Sequence, residues 1–297
     1  MKKLCGGVLL LCLAAVFSDC AAAQDKPNNM GAPPKVLTVT REFVKPGKNG
    51  PIHDKSESAF VEAMRKAKWP TYYFGLDSLS GKTRSLFLTG YDSFEAWEKD
   101  NHAQEKNAVL SGELQRAFTA DGALLDSMDQ SVWRFREDMS MHPTTDIGSA
   151  RMMEFEVFHL KPGHEADWDT AVKMVKDAYA KGVPDAHWDM FEMMYGGGST
   201  FVVITPLKGG AEIDKNFASG KQFMEAMGQE GMKKLSDLSA AAIDSIETNL
   251  FAINPHMSYV PDEIINSDPD FWRPKSAASA GHKAKDEKEE KAAPAKP

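Results

Sequence analysis

The chain has 297 residues, 42% of them hydrophobic, and a formal net charge of -8 at pH 7. That is enough apolar material for a sizeable core. The acidic balance excludes a nucleic-acid binder, which needs a basic face against phosphates.

Lys2 and Lys3 precede an apolar run from Gly6 to Phe17, and Ala21-Ala22-Ala23 follows. This is the pattern of a bacterial-type signal peptide, with cleavage after Ala23 and a periplasmic or secreted mature chain. Cys5, Cys12 and Cys20 all precede that cut. The mature protein then has no disulfide and no thiolate nucleophile. Cys20 could instead carry a lipid, but Asp19 stands where a small residue is expected. No later stretch is long and apolar enough to span a bilayer, so no transmembrane segment is expected.

Residues 24–34 read as a flexible, proline-rich leader and residues 275–297 as a disordered Lys/Ala/Glu tail, since neither has anything to bury. Between them the sequence is written twice. Phe43-Val44-Lys45-Pro46-Gly47 is echoed by Phe158-His159-Leu160-Lys161-Pro162-Gly163, and Asp138-Met139-Ser140 by His256-Met257-Ser258. The repeat divides the chain into a module at 35–141, a linker at 142–148, a second module at 149–258 and an extension at 259–274.

In chain order, Val36 to Val44 alternates and is rich in β-formers, which predicts a strand. Ser56 to Lys66 carries Phe60, Val61 and Met64 at helical spacing. Thr71 to Leu79 and Arg84 to Thr89 flank a Ser80-Gly81-Lys82 turn, a hairpin. Ser93 onward to about Met128 is helical, and Ser131 to Arg136 is a strand. The second module repeats the order: strand Arg151 to Leu160, helix Glu165 to Lys181, a hairpin around Gly196-Gly197-Gly198, helix through Lys215 to Ile243, and strand Ser245 to Ile253.

The predicted fold class is therefore α+β: two ferredoxin-like βαββαβ modules fused in tandem, their sheets packed face to face as an α/β barrel. Element order and duplication resemble the dimeric α/β-barrel superfamily in a fused form, with antibiotic-biosynthesis-type and haem-degrading monooxygenases and NIPSNAP-like proteins among its members. The resemblance implies a monomer acting as an intramolecular pseudo-dimer, with ligands on the inner surface of the sheets.

Strand parity puts Leu37, Val39, Met153 and Phe155 on one face, expected under the helices, with Phe74, Leu76, Trp188 and Met190 beside them. The opposite parity carries Thr40, Glu42, Tyr73, Glu154, Glu156, His187 and Asp189, expected to line a wet inter-sheet cavity as candidate ligand-binding residues. Glu154, Glu156, His187 and Asp189 have the types for acid–base work or metal ligation, but no compact ligand motif joins them and no metal site is assigned. His102 and Trp97 resemble the segment where haem-degrading members place a helical haem ligand, although the first strand lacks the Asn of that branch. Haem and metal both stay open as cofactors. No Gly-x-Ser-x-Gly elbow is present, and Gly196-Gly197-Gly198 lacks the Lys and Ser/Thr of a phosphate loop.

The functional expectation is an exported barrel protein that binds a small molecule or partner between its sheets. The alternatives are a monooxygenase-like or isomerase-like enzyme acting on a hydrophobic or aromatic substrate, and an inert envelope protein.

Overall fold

A computed structural model describes residues 32–143 and 146–273. The stretches read from sequence as a signal peptide and a tail, and most of the one read as a leader, lie outside the described residues.

Eight antiparallel strands close into one barrel in the order β1-β3-β2-β8-β5-β7-β6-β4. The first half contributes β1 (Val36–Val44), α1 (Pro51–Ala67), β2 (Tyr73–Ser78), β3 (Arg84–Tyr91), α2 (Phe94–Lys106), α3 (Ala108–Asp121) and β4 (Leu125–Phe135). The second contributes β5 (Met152–Leu160), α4 (Glu165–Gly182), β6 (Asp189–Tyr195), β7 (Thr200–Leu207), α5 (Gly210–Ala242) and β8 (Ile243–Ile253). Pro51 opens α1 where its missing N–H costs nothing. Ser93 and Asn107 cap α2 and α3 by accepting from Ala96 and Leu110 N–H. Gly228, at φ 70°, breaks α5 into two helical stretches.

The halves are sewn together at two seams. Strand β2 pairs with β8 (Leu76 opposite Ile253), and β4 pairs with β6 (Phe135 opposite Phe191). Closure leaves no sheet edge unpaired. The barrel interior is one apolar cluster to which every strand contributes, including Leu37, Phe74, Leu86, Trp133, Phe155, Phe191, Ile204 and Phe251. Two short helices, α6 (Asp262–Ser267) and α7 (Pro269–Trp272), cover one end. There Trp272 packs on Phe74 and its indole N–H donates to Gly148 O, while Arg151 pairs with Asp268 and stacks on Phe271. No described helix is long and apolar enough to cross a membrane.

This arrangement inverts the expected faces of β1, β2 and β5, while Trp188 and Met190 lie toward the helices as expected. Leu37, Val39, Met153 and Phe155 point into the barrel, not toward the helices, and so do Phe74 and Leu76. Closing a sheet on itself makes its concave face the dry core, while the helices cover the convex face. Thr40, Glu42, Tyr73, Glu154 and Glu156 therefore do not line an inter-sheet cavity; they lie under the helices. Phe74 pairs with Leu88 as Asp189 pairs with Ile204, so Tyr73 corresponds to Trp188.

The segment after β8 folds back over β2. A Cβ on Gly75 would sit 2.5 Å from Met257 O and 2.7 Å from Met257 Cβ, and the Gly75 N–H donates to Ser258 Oγ at 2.9 Å. Gly75→Ala should lower stability by about 2 kcal/mol, the usual scale of overpacking a well-filled site. A urea titration checks this: the midpoint should fall with the slope unchanged.

Candidate functional site

Two constellations stand out, one under the helices of each half. In the second half, α4 and α5 stand off β5 and β7 and enclose a cavity of about 410 Å³. Five aromatic side chains stand in its mixed apolar and polar wall: Phe158, Trp168, Tyr179, Trp188 and Phe223. Trp168 lies against Phe158 and Phe201 at centroid distances of 4.9 and 5.3 Å, and Tyr179 sits 5.2 Å from Trp188 and 4.7 Å from Phe223. Glu154 and Glu156, two residues apart on β5, project into it from the sheet, and His187 lines it from the connection before β6.

Burial pushes the Glu156 carboxyl above its ordinary range, and the neighbouring Glu154 pushes it further. Burial raises Glu154 as well. The Tyr179 phenol is raised by burial and then by the two carboxylates. Among the described residues neither glutamate is ion-paired. The cation in the lining, Lys215, is paired with Asp185, so the two crowded carboxyls on β5 favour a group that brings positive charge or hydrogen-bond donors.

The first half fills the equivalent space differently. Glu42 on β1, His53 and Glu57 on α1 and Asp121 at the end of α3 converge there, each 3% exposed or less. His53 Nε2 lies 3.2 Å from Glu42 Oε2, 3.5 Å from Asp121 Oδ1 and 3.9 Å from Glu57 Oε1. On the other side of the ring, His53 Nδ1 is 3.3 Å from Ser85 Oγ, which donates to Asp77 Oδ1 at 2.7 Å. Asn254 in turn donates to Asp77 Oδ2 at 2.6 Å. Glu57 Oε1 and Asp121 Oδ1 have no hydrogen-bond partner, and neither has the buried Tyr73 hydroxyl. Burial pushes Glu57 up to about 10, reinforced by the charges of Glu42 and Asp121. For Glu42, burial outweighs the lowering effect of the His53 hydrogen bond, and its carboxyl is raised. For His53, burial works downward, but Glu42 and Asp121 more than offset it and hold the imidazole above its usual value.

Of the residues singled out from sequence, Glu154, Glu156 and His187 meet in the second-half cavity. Glu42 belongs to the first-half cluster, which Tyr73 adjoins. Thr40 lies one strand step from Glu42 and accepts from Gln130. Asp189 faces the barrel interior, away from His187, beside a small opening at the barrel mouth. His187 Nε2 is 3.0 Å from Pro206 O. The expected quartet of Glu154, Glu156, His187 and Asp189 is therefore split, because Glu154 and Glu156 lie on the helix side of β5 while Asp189 faces the interior with Phe191. His102 is exposed on α2, and Trp97 packs beside Val36, Tyr91 and Val132, so the two do not form a haem pocket.

Sequence reading missed His53, Glu57 and Asp121. The His53–Glu57 spacing, one helical turn, was a usable signal. So was the comparison of halves. Glu42 pairs with Ser85, and Ser85 with Asp77, in the register where Phe158 pairs with Phe201 and Phe201 with Glu192. Glu42 and Ser85 are polar where Phe158 and Phe201 are aromatic, while Asp77 and Glu192 are acidic in both halves.

No protein-family profile matches the chain, and no curated protein matches it either. Among solved structures it is similar to a monooxygenase-like protein of Fusobacterium nucleatum, at 11% identity over 74% of this chain and 93% of that one, TM-score 0.47. It is also similar to an anthrone oxidase-like protein, at 14% identity over 74% and 92%, TM-score 0.45. A variant of the chlorite dismutase of Candidatus Nitrospira defluvii gives 10% identity over 80% and 97%, TM-score 0.44.

Proposed function

We propose that the protein is a small-molecule-binding barrel whose site is the cavity between β5, β7, α4 and α5. The ligand is amphipathic: a hydrophobic or aromatic body against Trp168, Tyr179 and Phe223, with an amine or other donor group toward Glu154 and Glu156. The observation that carries this reading is the pairing of a cavity of about 410 Å³, with Trp168, Tyr179, Trp188 and Phe223 in its wall, with two raised carboxyls on one strand that no described residue ion-pairs. The volume lies in the range that small-molecule sites occupy. The packed barrel interior is what moves the site out of the space between the sheets.

The wider reading has its own supports. The signal sequence at 1–23 supports export to the periplasm or beyond. Matching element order in the two halves, with each half completing the other's sheet, supports two fused ferredoxin-like modules at 35–141 and 149–258. It equally supports a pseudo-dimeric monomer in the manner of the dimeric α/β-barrel superfamily.

The test uses two naphthalene-type dyes that differ only in carrying an ammonium or a sulfonate group. The ammonium dye should bind, and Glu156→Gln should weaken it by about tenfold, the loss of one charge-assisted contact. Equal or tighter binding of the sulfonate dye would overturn the assignment.

A stability measurement checks the electrostatics of the same site. The Glu156 carboxyl ionises at its ordinary value in the unfolded chain but later in the folded one. As pH rises between those two values the unfolded state binds fewer protons, so stability falls. Ligand-free Glu156→Gln should match the parent near pH 4 and surpass it toward pH 8 in thermal melts. Strong destabilisation of the variant at neutral pH would instead mark Glu156 as a structural partner.

A further inference from the structure

We infer that the buried Glu42–His53–Glu57–Asp121 cluster is a binding site for a divalent metal ion, of the class that accepts one imidazole nitrogen and three carboxylate oxygens in near-tetrahedral geometry. Zn²⁺ fits that description best and Mn²⁺ next.

Four observations carry it. The first is distance. One ligand atom from each residue lies within 4.8 Å of every other. His53 Nε2 stands 3.2, 3.5 and 3.9 Å from the three carboxylate oxygens. A tetrahedral ion with bonds of about 2.1 Å holds its ligands about 3.4 Å apart, so those spacings straddle the required edge.

The second is the imidazole tautomer. The single hydroxyl proton of Ser85 is spent on Asp77 Oδ1, so Ser85 Oγ accepts from His53 Nδ1–H. That bond leaves Nε2 as the nitrogen facing the carboxylates; in the ion-free protein it lies within hydrogen-bond distance of Glu42 Oε2, and an ion would take the place of the proton between them. The chain Asn254–Asp77–Ser85–His53 is the outer-shell support that a metal-binding histidine requires.

The third is the pair of orphan oxygens. Glu57 Oε1 and Asp121 Oδ1 are buried, point at His53 Nε2 and receive no hydrogen bond. Unsatisfied carboxylate oxygens at that depth are costly, and a cation satisfies both.

The fourth is charge. Among the described residues no ion pair joins these three carboxylates to a lysine or arginine. A divalent ion beside neutral His53 leaves three ionised carboxylates one charge short of neutral, whereas without it the group must be held together by shared protons. The second half needs no ion in the same place, because Phe158, Trp168 and Val172 fill it.

The site is enclosed, so the ion enters during folding or a local opening. The test denatures the mature full-length protein with a chelator and refolds it alone, with Zn²⁺, or with Mn²⁺. One equivalent of ion should be retained after gel filtration, and the melting temperature should rise by roughly 4 °C or more. The isosteric pair Glu57→Gln with Asp121→Asn should lose at least about 100-fold in affinity, since both charges and two ligand oxygens go. Its ion-free melt should equal or exceed that of the ion-free parent. Failure of the parent to retain either ion would overturn the proposal, and so would undiminished binding by the variant. Should the variant not fold, X-ray absorption of the zinc-loaded parent decides. A shell of nitrogen and oxygen with one imidazole supports the site, and sulfur or several imidazoles exclude it.

Discussion

Residues 24–145 expressed alone are expected to form aggregates or a homodimer, not a folded monomer. Without the second half, β2 loses β8 and β4 loses β6, so both flanking strands present open edges. The concave face of the remaining four strands carries Leu37, Val39, Phe74, Leu76, Leu86, Leu88 and Trp133. Uncovering seven large apolar side chains at about 1.5–3 kcal/mol each forfeits on the order of 10 kcal/mol, comparable to the whole stability of a typical domain. Two copies could close a barrel by each taking the place of the other's missing half, which makes the homodimer the one soluble outcome compatible with this geometry. Light scattering after gel filtration distinguishes the cases. A monodisperse monomer with a sharp thermal transition would show that the halves do not depend on each other. Co-expression of residues 146–273 should rescue solubility, because both seams can then form between chains.

Much of the barrel was legible because its strands alternate cleanly. Strand β1 runs over Val36–Val44 as the alternation predicts, and α4 begins at Glu165 as read. The start of β4 was not legible. Asp126, Ser127, Asp129 and Gln130 are polar and the stretch is exposed, Met128 included, so the segment has no apolar period, yet it continues the ladder beside β1. Parity alone separates the two faces of a strand without saying which one a helix covers. In this chain the apolar parity was assigned to the helices when closure had claimed it for the interior. Glu42, Glu154 and Glu156 share a parity as read but lie on the helix side of the sheet, in two separate sites, and Asp189 keeps to the interior. The metal-type cluster was hidden for the converse reason. His53 and Glu57 sit on the buried face of α1, where a hydrophobic pattern reads them as solvent-facing, and Pro51-Ile52-His53 was not read as helix at all. Functional polar residues break the local pattern that reveals structure, and the aromatic counterpart in the second half is what exposes the break.

Replacing Asp100 is expected to cost more than any other single change at the surface of α2. Its carboxylate accepts from four side chains: Trp69 Nε1 at 2.9 Å and Thr71 Oγ1 at 2.6 Å on one oxygen, Tyr91 OH at 3.2 Å and Gln104 Nε2 at 2.9 Å on the other. Trp69 and Tyr91 are buried, so their donors have no water to turn to. Burial raises the Tyr91 phenol and Asp100 raises it further, so Tyr91 stays a donor at any physiological pH. Asp100→Ala strands at least two buried donors and removes the tie between α2, the loop before β2 and the end of β3. The loss should be on the order of 3 kcal/mol, seen as a lower urea midpoint. Asp100→Asn discriminates hydrogen bonding from simple packing. An amide has one accepting oxygen where the carboxylate has two, and its NH₂ then faces Tyr91 and Gln104. Gln104 can turn its own oxygen inward and Tyr91 can accept, so the penalty should be intermediate, about 1–2 kcal/mol. Equal losses for Ala and Asn would mean that negative charge, not acceptor count, holds this corner together. The phenol titration separates the two further: Asp100→Asn should bring Tyr91 ionisation down toward the ordinary range, because one of the causes that raises it has been removed.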